Sequence, residues 1–307
     1  MKKLNDLLEG IAADIDEELG SMPDIVEKEP GRFDVDSLPF AKREWHRLDD
    51  VVAVAVDLKG SSKLSTGKHA ASTASIYEAS TDNAVAVLDN FDADFIQIQG
   101  DGAFGLFWGE GSYGRALCAG ITVKTISVGL AAKIAAKWPK APQTGYKVGI
   151  ASGRVLAKLI GTPRNPSQQE PIWSGKPVNY AVKAAQTAEV GELIVSGDVW
   201  ASIEDNDYLT TSCGHGGSAP VQLWVNTTIE NVPVQDDARH GRLLRSAWCE
   251  ECGESFCEAI LAGKTERPEA AVAAEGSRRA ARDTNLARVI DKKRGLRTAH
   301  IRGMKTR

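Results

Sequence analysis

A chain of 307 residues with 42% apolar and 25% charged side chains has the balance of a globular protein, long enough for one large domain with extensions or two small ones. No run reaches the ~18 consecutive apolar residues of a membrane span. Acids break up the N-terminal MKKLNDLLEGIAADIDEELG too early for an export signal, and five cysteines are too few for a disulfide framework, so a reducing, cytoplasmic setting without stable membrane association is expected. Residues 276–307 hold eleven Lys/Arg and two Asp, a balance of +9, which leaves −13 on the first 275 residues within the net charge of −4; an acidic body argues against nucleic-acid binding except through that basic tail.

Residues 1–20 place Leu4, Leu7, Leu8, Ile11 and Ile15 at helical spacing, and a loop with Pro23, Pro30 and Pro39 follows. The β-branched run VVAVAVDL, 51–58, predicts a strand buried on both faces. A helix over 70–91 and a hairpin over 95–108 about Gly100-Asp101-Gly102 come next. The Ala-rich stretch 113–138 predicts another helix, 146–161 a second hairpin, 178–190 a helix, and GELIVSGDVW a short strand, with the last strands over 207–225. The order β-α-β-β-α-β-β-α-β is that of an α+β sandwich, helices packed on an antiparallel-rich sheet.

Two carboxylates punctuate apolar β segments. Asp57 ends the first buried strand and Asp101 sits at the tip of the next hairpin. If that hairpin pairs beside the first strand, both acids emerge at one sheet edge, where they can hold two divalent cations and a triphosphate. Each acid taken alone also suits an ordinary turn. Lys59-Gly60-Ser61-Ser62, just after Asp57, forms a small polar turn whose N–H groups can cradle phosphate oxygens.

These blocks resemble the class III nucleotidyl cyclases. VAVDLKGSSKL is similar to their first metal motif, IQIQGDGAFGLF to their second, VGIASGRVLAKLIG to the following hairpin, and SGKPVNYAVKAAQTAEVGELIVSGDVW to the substrate-binding helix, all in family order. Trp45, Leu48-Asp49-Asp50-Val51-Val52 and Trp173-Ser174-Gly175-Lys176-Pro177-Val178-Asn179 further resemble the pyrimidine cyclases of bacterial Pycsar anti-phage systems. The resemblance implies a cyclase domain over 45–225, preceded by the helix and loop of 1–44 and followed by a Cys-containing helical extension, 226–263, and a linker with basic tail, 264–307.

It further implies two Mn²⁺ or Mg²⁺ ions held by Asp57, Asp101 and the Leu58 carbonyl, with Lys59, Gly60, Ser61 and Ser62 on the triphosphate. Asn179 would orient the ribose and Lys183, where the family has Arg, would meet the α-phosphate. A head-to-tail homodimer would share its active sites. The purine-reading positions fall at Gln97 and at about Ile172 or Trp173. A neutral amide and an apolar or indole side chain match neither purine code, so Gln97 and Trp173 are expected to read a pyrimidine. The implied reaction is UTP, or less readily CTP, to the 3′,5′-cyclic nucleotide and pyrophosphate, a messenger for a nucleotide-responsive effector in anti-phage defence. The alternatives are an adenylate or guanylate cyclase and a catalytically inactive nucleotide-binding module.

Cys213-Gly214-His215-Gly216-Gly217 occupies the place of the family's late phosphate-binding loop, and the role of His215 stays open. Cys249, Cys252 and Cys257, with His240 upstream, fall short of a closed four-ligand zinc set. The expectation is instead buried thiols in a helical extension packed through Trp248, Phe256, Ile260 and Leu261.

Overall fold

The computed structural model describes residues 3–40, 43–64, 70–214 and 220–268. Helix α1 (Leu4–Gly20) precedes strand β1 (Asp24–Glu27), which pairs in parallel with the fifteen-residue strand β2 (Glu44–Leu58). Helices α2 (Ser61–Leu64) and α3 (Ala70–Asn90), the hairpin β3 (Phe95–Gln99) and β4 (Gly102–Phe107), and helix α4 (Ser112–Lys137) follow. Then come β5 (Tyr146–Gly161), β6 (Gln169–Gly175), α5 (Lys176–Thr187), β7 (Leu193–Val195), α6 (Gly197–Ile203), α7 (Asp207–Thr210), β8 (Trp224–Thr228), β9 (His240–Leu244) and α8 (Gly253–Leu261). The sheet runs β3-β4-β2-β5-β7-β9-β8, with β1 added to β2 and β6 to β5.

The run at 51–58 owes its buried place to alternation. Val52, Val54, Val56 and Leu58 point to the face covered by α3 and α4. Val51, Ala53 and Ala55 point to the face covered by α5. Successive strand residues face opposite sides, so bulk fills the first layer and alanine lets α5 lie close in the second. The closest approach is at Gly149 of β5, where a Cβ would stand 2.0 Å from the Ala181 carbonyl oxygen and 2.4 Å from Ala185 N.

Three expectations change. Residues 146–161 form one strand rather than a hairpin, because the ladder to β2 continues through Ser152 and Gly153. The reversal comes at Gly161, at φ +140, where a Cβ would meet the Gln168 carbonyl oxygen at 2.0 Å. Residues 207–210 are helical, since the Asn206 side chain accepts from the N–H groups of Tyr208 and Leu209. The strands β8 and β9 extend the sheet to Leu244, so a division at residue 225 falls inside β8. The basic tail from residue 269 onward lies outside the described residues.

Among the described residues α4 is the one helix with the length and hydropathy of a membrane span; half of its apolar window is buried against the sheet and α3. Helix α1 buries none of its residues.

Candidate active site

Asp57 is an odd-numbered residue at the exit of β2, so alternation turns it to the α5 face, beyond Ala53 and Ala55. The β3–β4 turn brings Asp101 alongside. Gly100 takes φ +64, and Gly102 presses so close to β2 that a Cβ there would meet the Val56 carbonyl oxygen at 2.7 Å. The expected meeting of the two acids is present. Burial, then the charge of Asp101, raises the Asp57 carboxyl above its usual range, while Lys147 and the Leu58 N–H pull the other way. Asp101 Oδ2 is buried with no hydrogen-bond partner among the described residues. A buried carboxylate oxygen without a donor costs free energy unless a cation neutralises it. The residues therefore fit a divalent cation.

The turn after Leu58 is held by its backbone. Lys59 N–H donates to the Gly145 carbonyl at 3.1 Å, Thr144 Oγ1 donates to the Lys59 carbonyl at 2.8 Å, and Gly60 takes φ +70. Ser61 opens α2, and Lys63 N–H donates to Gly60 O at 2.9 Å; the Ser62 side chain lies outside the described residues. Lys59 Nζ forms an ion pair with Glu189, which holds the Glu189 carboxyl below its usual range.

Gln97 and Trp173 line one cleft of about 440 Å³, with Ile172, Glu170 and Val178. Trp173 is 7% exposed and packs against Phe95 and Trp108 at centroid distances of 5.0 and 5.7 Å, so most of its bulk belongs to the core. Its Nε1–H is buried without an acceptor among the described residues. Gln97 Nε2 stands 3.5 Å from Glu170 Oε2, at the long limit of a hydrogen bond. Gln99 and Phe104 line both this cleft and the one holding Asp57.

Asn179 and Lys183 lie one turn apart on α5. Asn179 is exposed, its Nδ2 donating to Gly175 O at 2.9 Å. Lys183 Nζ stands over the Tyr180 ring at 5.1 Å. The cleft of Asp57 meets α5 through Val182, Ala185 and Gln186.

Sequence reasoning missed Lys147 and Glu170. Lys147 is the register partner of Asp57 and donates from Nζ to Gln186 O at 2.9 Å; the hairpin misreading of 146–161 hid that pairing. Glu170 required the true β5–β6 reversal. The cysteines also regroup. Cys257 turns to Cys118, whose Sγ lies 4.0 Å from the Cys257 carbonyl, whereas Cys213 joins Cys249 and Cys252 with all three sulfurs within 4.8 Å of one another. Burial, then Cys213 and Cys249, pushes the Cys252 thiol up to about 12. His215 lies outside the described residues.

No family model matches the chain. It is similar to a uridylate cyclase of Micromonospora echinofusca, 47% identical over 265 residues and 86% of each chain. It is likewise similar to a uridylate cyclase of Propioniciclava tarda, 45% identical over 266 residues and again 86% of each. In fold it is similar to the adenylyl cyclase CyaB from P. aeruginosa, with TM-score 0.50, 16% identity, and coverage of 65% of this chain and 94% of that one. A class III adenylyl cyclase-like ATP-binding protein from Pseudomonas aeruginosa gives TM-score 0.50, 17% identity and coverage of 84% and 49%. With identity near half over most of the length, a class III cyclase architecture and the two motif carboxylates side by side, the chain is a nucleotidyl cyclase and belongs to the family of these uridylate cyclases.

Proposed function

We propose that the protein converts UTP to 3′,5′-cyclic UMP and pyrophosphate. The observation that carries the reading is the pairing of Asp57 with Asp101, whose Oδ2 is buried without a partner among the described residues. That pair suits a divalent cation site, and curated relatives of the chain bear the name uridylate cyclase. Asp57, Asp101 and the Leu58 carbonyl would hold two Mn²⁺ or Mg²⁺ ions. Those ions supply a lowered pKa at the ribose 3′-hydroxyl and neutralisation of the triphosphate.

The chain's own residues do the positioning. The backbone of Lys59, Gly60, Ser61 and Ser62 cradles the phosphates as the 3′-oxygen attacks the α-phosphorus and pyrophosphate departs. Asn179 orients the ribose and Lys183 offers a point charge to the α-phosphate, a weaker grip than an arginine fork. Gln97 can accept from uracil N3–H and donate to its O4, and it is the side chain best suited to the base. By the resemblance, Asn179 and Lys183 would serve the carboxylates of a second copy, in a homodimer in which each chain completes its partner's site. By the resemblance, the cyclic product would act through a nucleotide-responsive effector in anti-phage defence, with the reaction in the cytoplasm.

The test is turnover of UTP in Mn²⁺ by wild type and by Asp57→Asn and Asp101→Asn. The reading expects pyrophosphate and a cyclic product from wild type alone. Equal turnover by either folded variant would remove the carboxylates from the reaction.

A further inference from the structure

We propose that Cys213, Cys249 and Cys252 form a structural zinc site that fastens the C-terminal extension to the cyclase domain. The three sulfurs come from two stretches of chain thirty-six residues apart and converge to within 4.8 Å of one another. The local backbone explains the convergence. Cys249 and Cys252 bracket a tight turn in which Gly253 N–H donates to the Cys249 carbonyl at 2.8 Å, and a Cβ at Gly253 would stand 3.0 Å from Trp248 Cβ. Cys213 follows the bridge between Thr211 and Gln222, and Arg267 Nη1 holds its neighbour, donating to the Ser212 carbonyl at 2.9 Å.

Two thiols separated by two residues, facing a third from another segment, are the arrangement a tetrahedral thiophilic cation takes. A disulfide would join two of the sulfurs and leave the third unused, whereas a cation engages all three. Leu209, Leu223, Trp248 and Phe256 line the same cavity and back the thiols, of which Cys252 is buried and Cys213 and Cys249 are half-buried. The fourth ligand is not among the three thiolates. The consequence is mechanical. Helix α8 meets the domain through Ile260 against Gly114 of α4 and Phe256 edge-on to Tyr208 of α7, at 5.1 Å; the cation would lock that small contact at its open end.

The test uses the full chain expressed in zinc-supplemented medium. Elemental analysis should find one equivalent of zinc per chain, and exchange for Co²⁺ should give thiolate-to-cobalt charge-transfer bands with the intense visible absorption of tetrahedral coordination. Cys213→Ser and Cys252→Ser should each lose the metal, while Cys257→Ser and Cys118→Ser keep it. If the serine variants fail to fold, chelation and Co²⁺ titration of wild type give the same answer without them. Wild type that takes up neither zinc nor Co²⁺, a disulfide joining two of the three cysteines by mass, or full metal retention in folded Cys213→Ser would overturn the site.

Discussion

Asp57 bears an electrostatic cost that its substrate complex would relieve. Its carboxyl is raised by burial and by Asp101, so the folded chain binds its proton more tightly than the unfolded one. Between the ordinary aspartate value of about 3.9 and the raised one, stability without a cation therefore falls as pH rises. Asp57→Asn should raise the melting temperature at neutral pH in chelator and forfeit the stabilisation that wild type gains from Mn²⁺. Thermal melts with and without Mn²⁺ check this, and an unchanged melting temperature in chelator would deny the cost. The same substitution should lower kcat by about 10²–10³, the scale of removing one preorganised charge stabiliser. The two acids were legible in the sequence because Asp57 closes an apolar β run and Asp101 marks the turn between two others. Lys147 was not, since strand register decides what stands opposite Asp57.

At the scale of elements, the contact of α5 with β2 and β5 sets where Asn179 and Lys183 stand. Ala53, Ala55, Ala181, Ala184 and Ala185 make that layer thin, and Gly149 leaves no room for a methyl group. Gly149→Ala should cost about 1–3 kcal/mol, as overpacked cores do, and should lower activity more than stability by lifting α5. Urea denaturation alongside kinetics reads both, and an unperturbed midpoint would mean the layer can yield. The runs at 51–58, 70–91, 95–108 and 113–138 were readable because period and punctuation agree there. Ser152-Gly153 misled because a glycine inside a long strand looks like a turn; the ladder to β2, which continues through both residues, overrides it. The short β1, the Asn206-capped α7 and the insertion of β9 between β7 and β8 depend on tertiary pairing that local pattern does not encode.

At the scale of the molecule, a shared site makes subunit mixing informative. An Asp57→Ala chain and an Asn179→Ala chain, each inactive alone, should recover at most about a quarter of wild-type activity when mixed, because one site of each mixed dimer keeps every group. Demonstrated subunit exchange without recovery would place the whole site in one chain. Motif order made the cyclase class legible, but nothing local could separate a base-reading Trp173 from a core tryptophan. The aromatic cluster with Phe33, Phe95 and Trp108 takes up most of Trp173, which leaves base reading to polar groups of the cleft, of which Gln97 is half-buried beside Glu170. The most direct measurement of the central claim is a competition in which the purified protein meets ATP, GTP, CTP and UTP at equal concentration with Mn²⁺, the products being resolved by mass. Cyclic UMP should dominate, with Gln97→Ala lowering its yield and admitting purines; cyclic AMP or cyclic GMP formed faster than either cyclic pyrimidine would contradict the account.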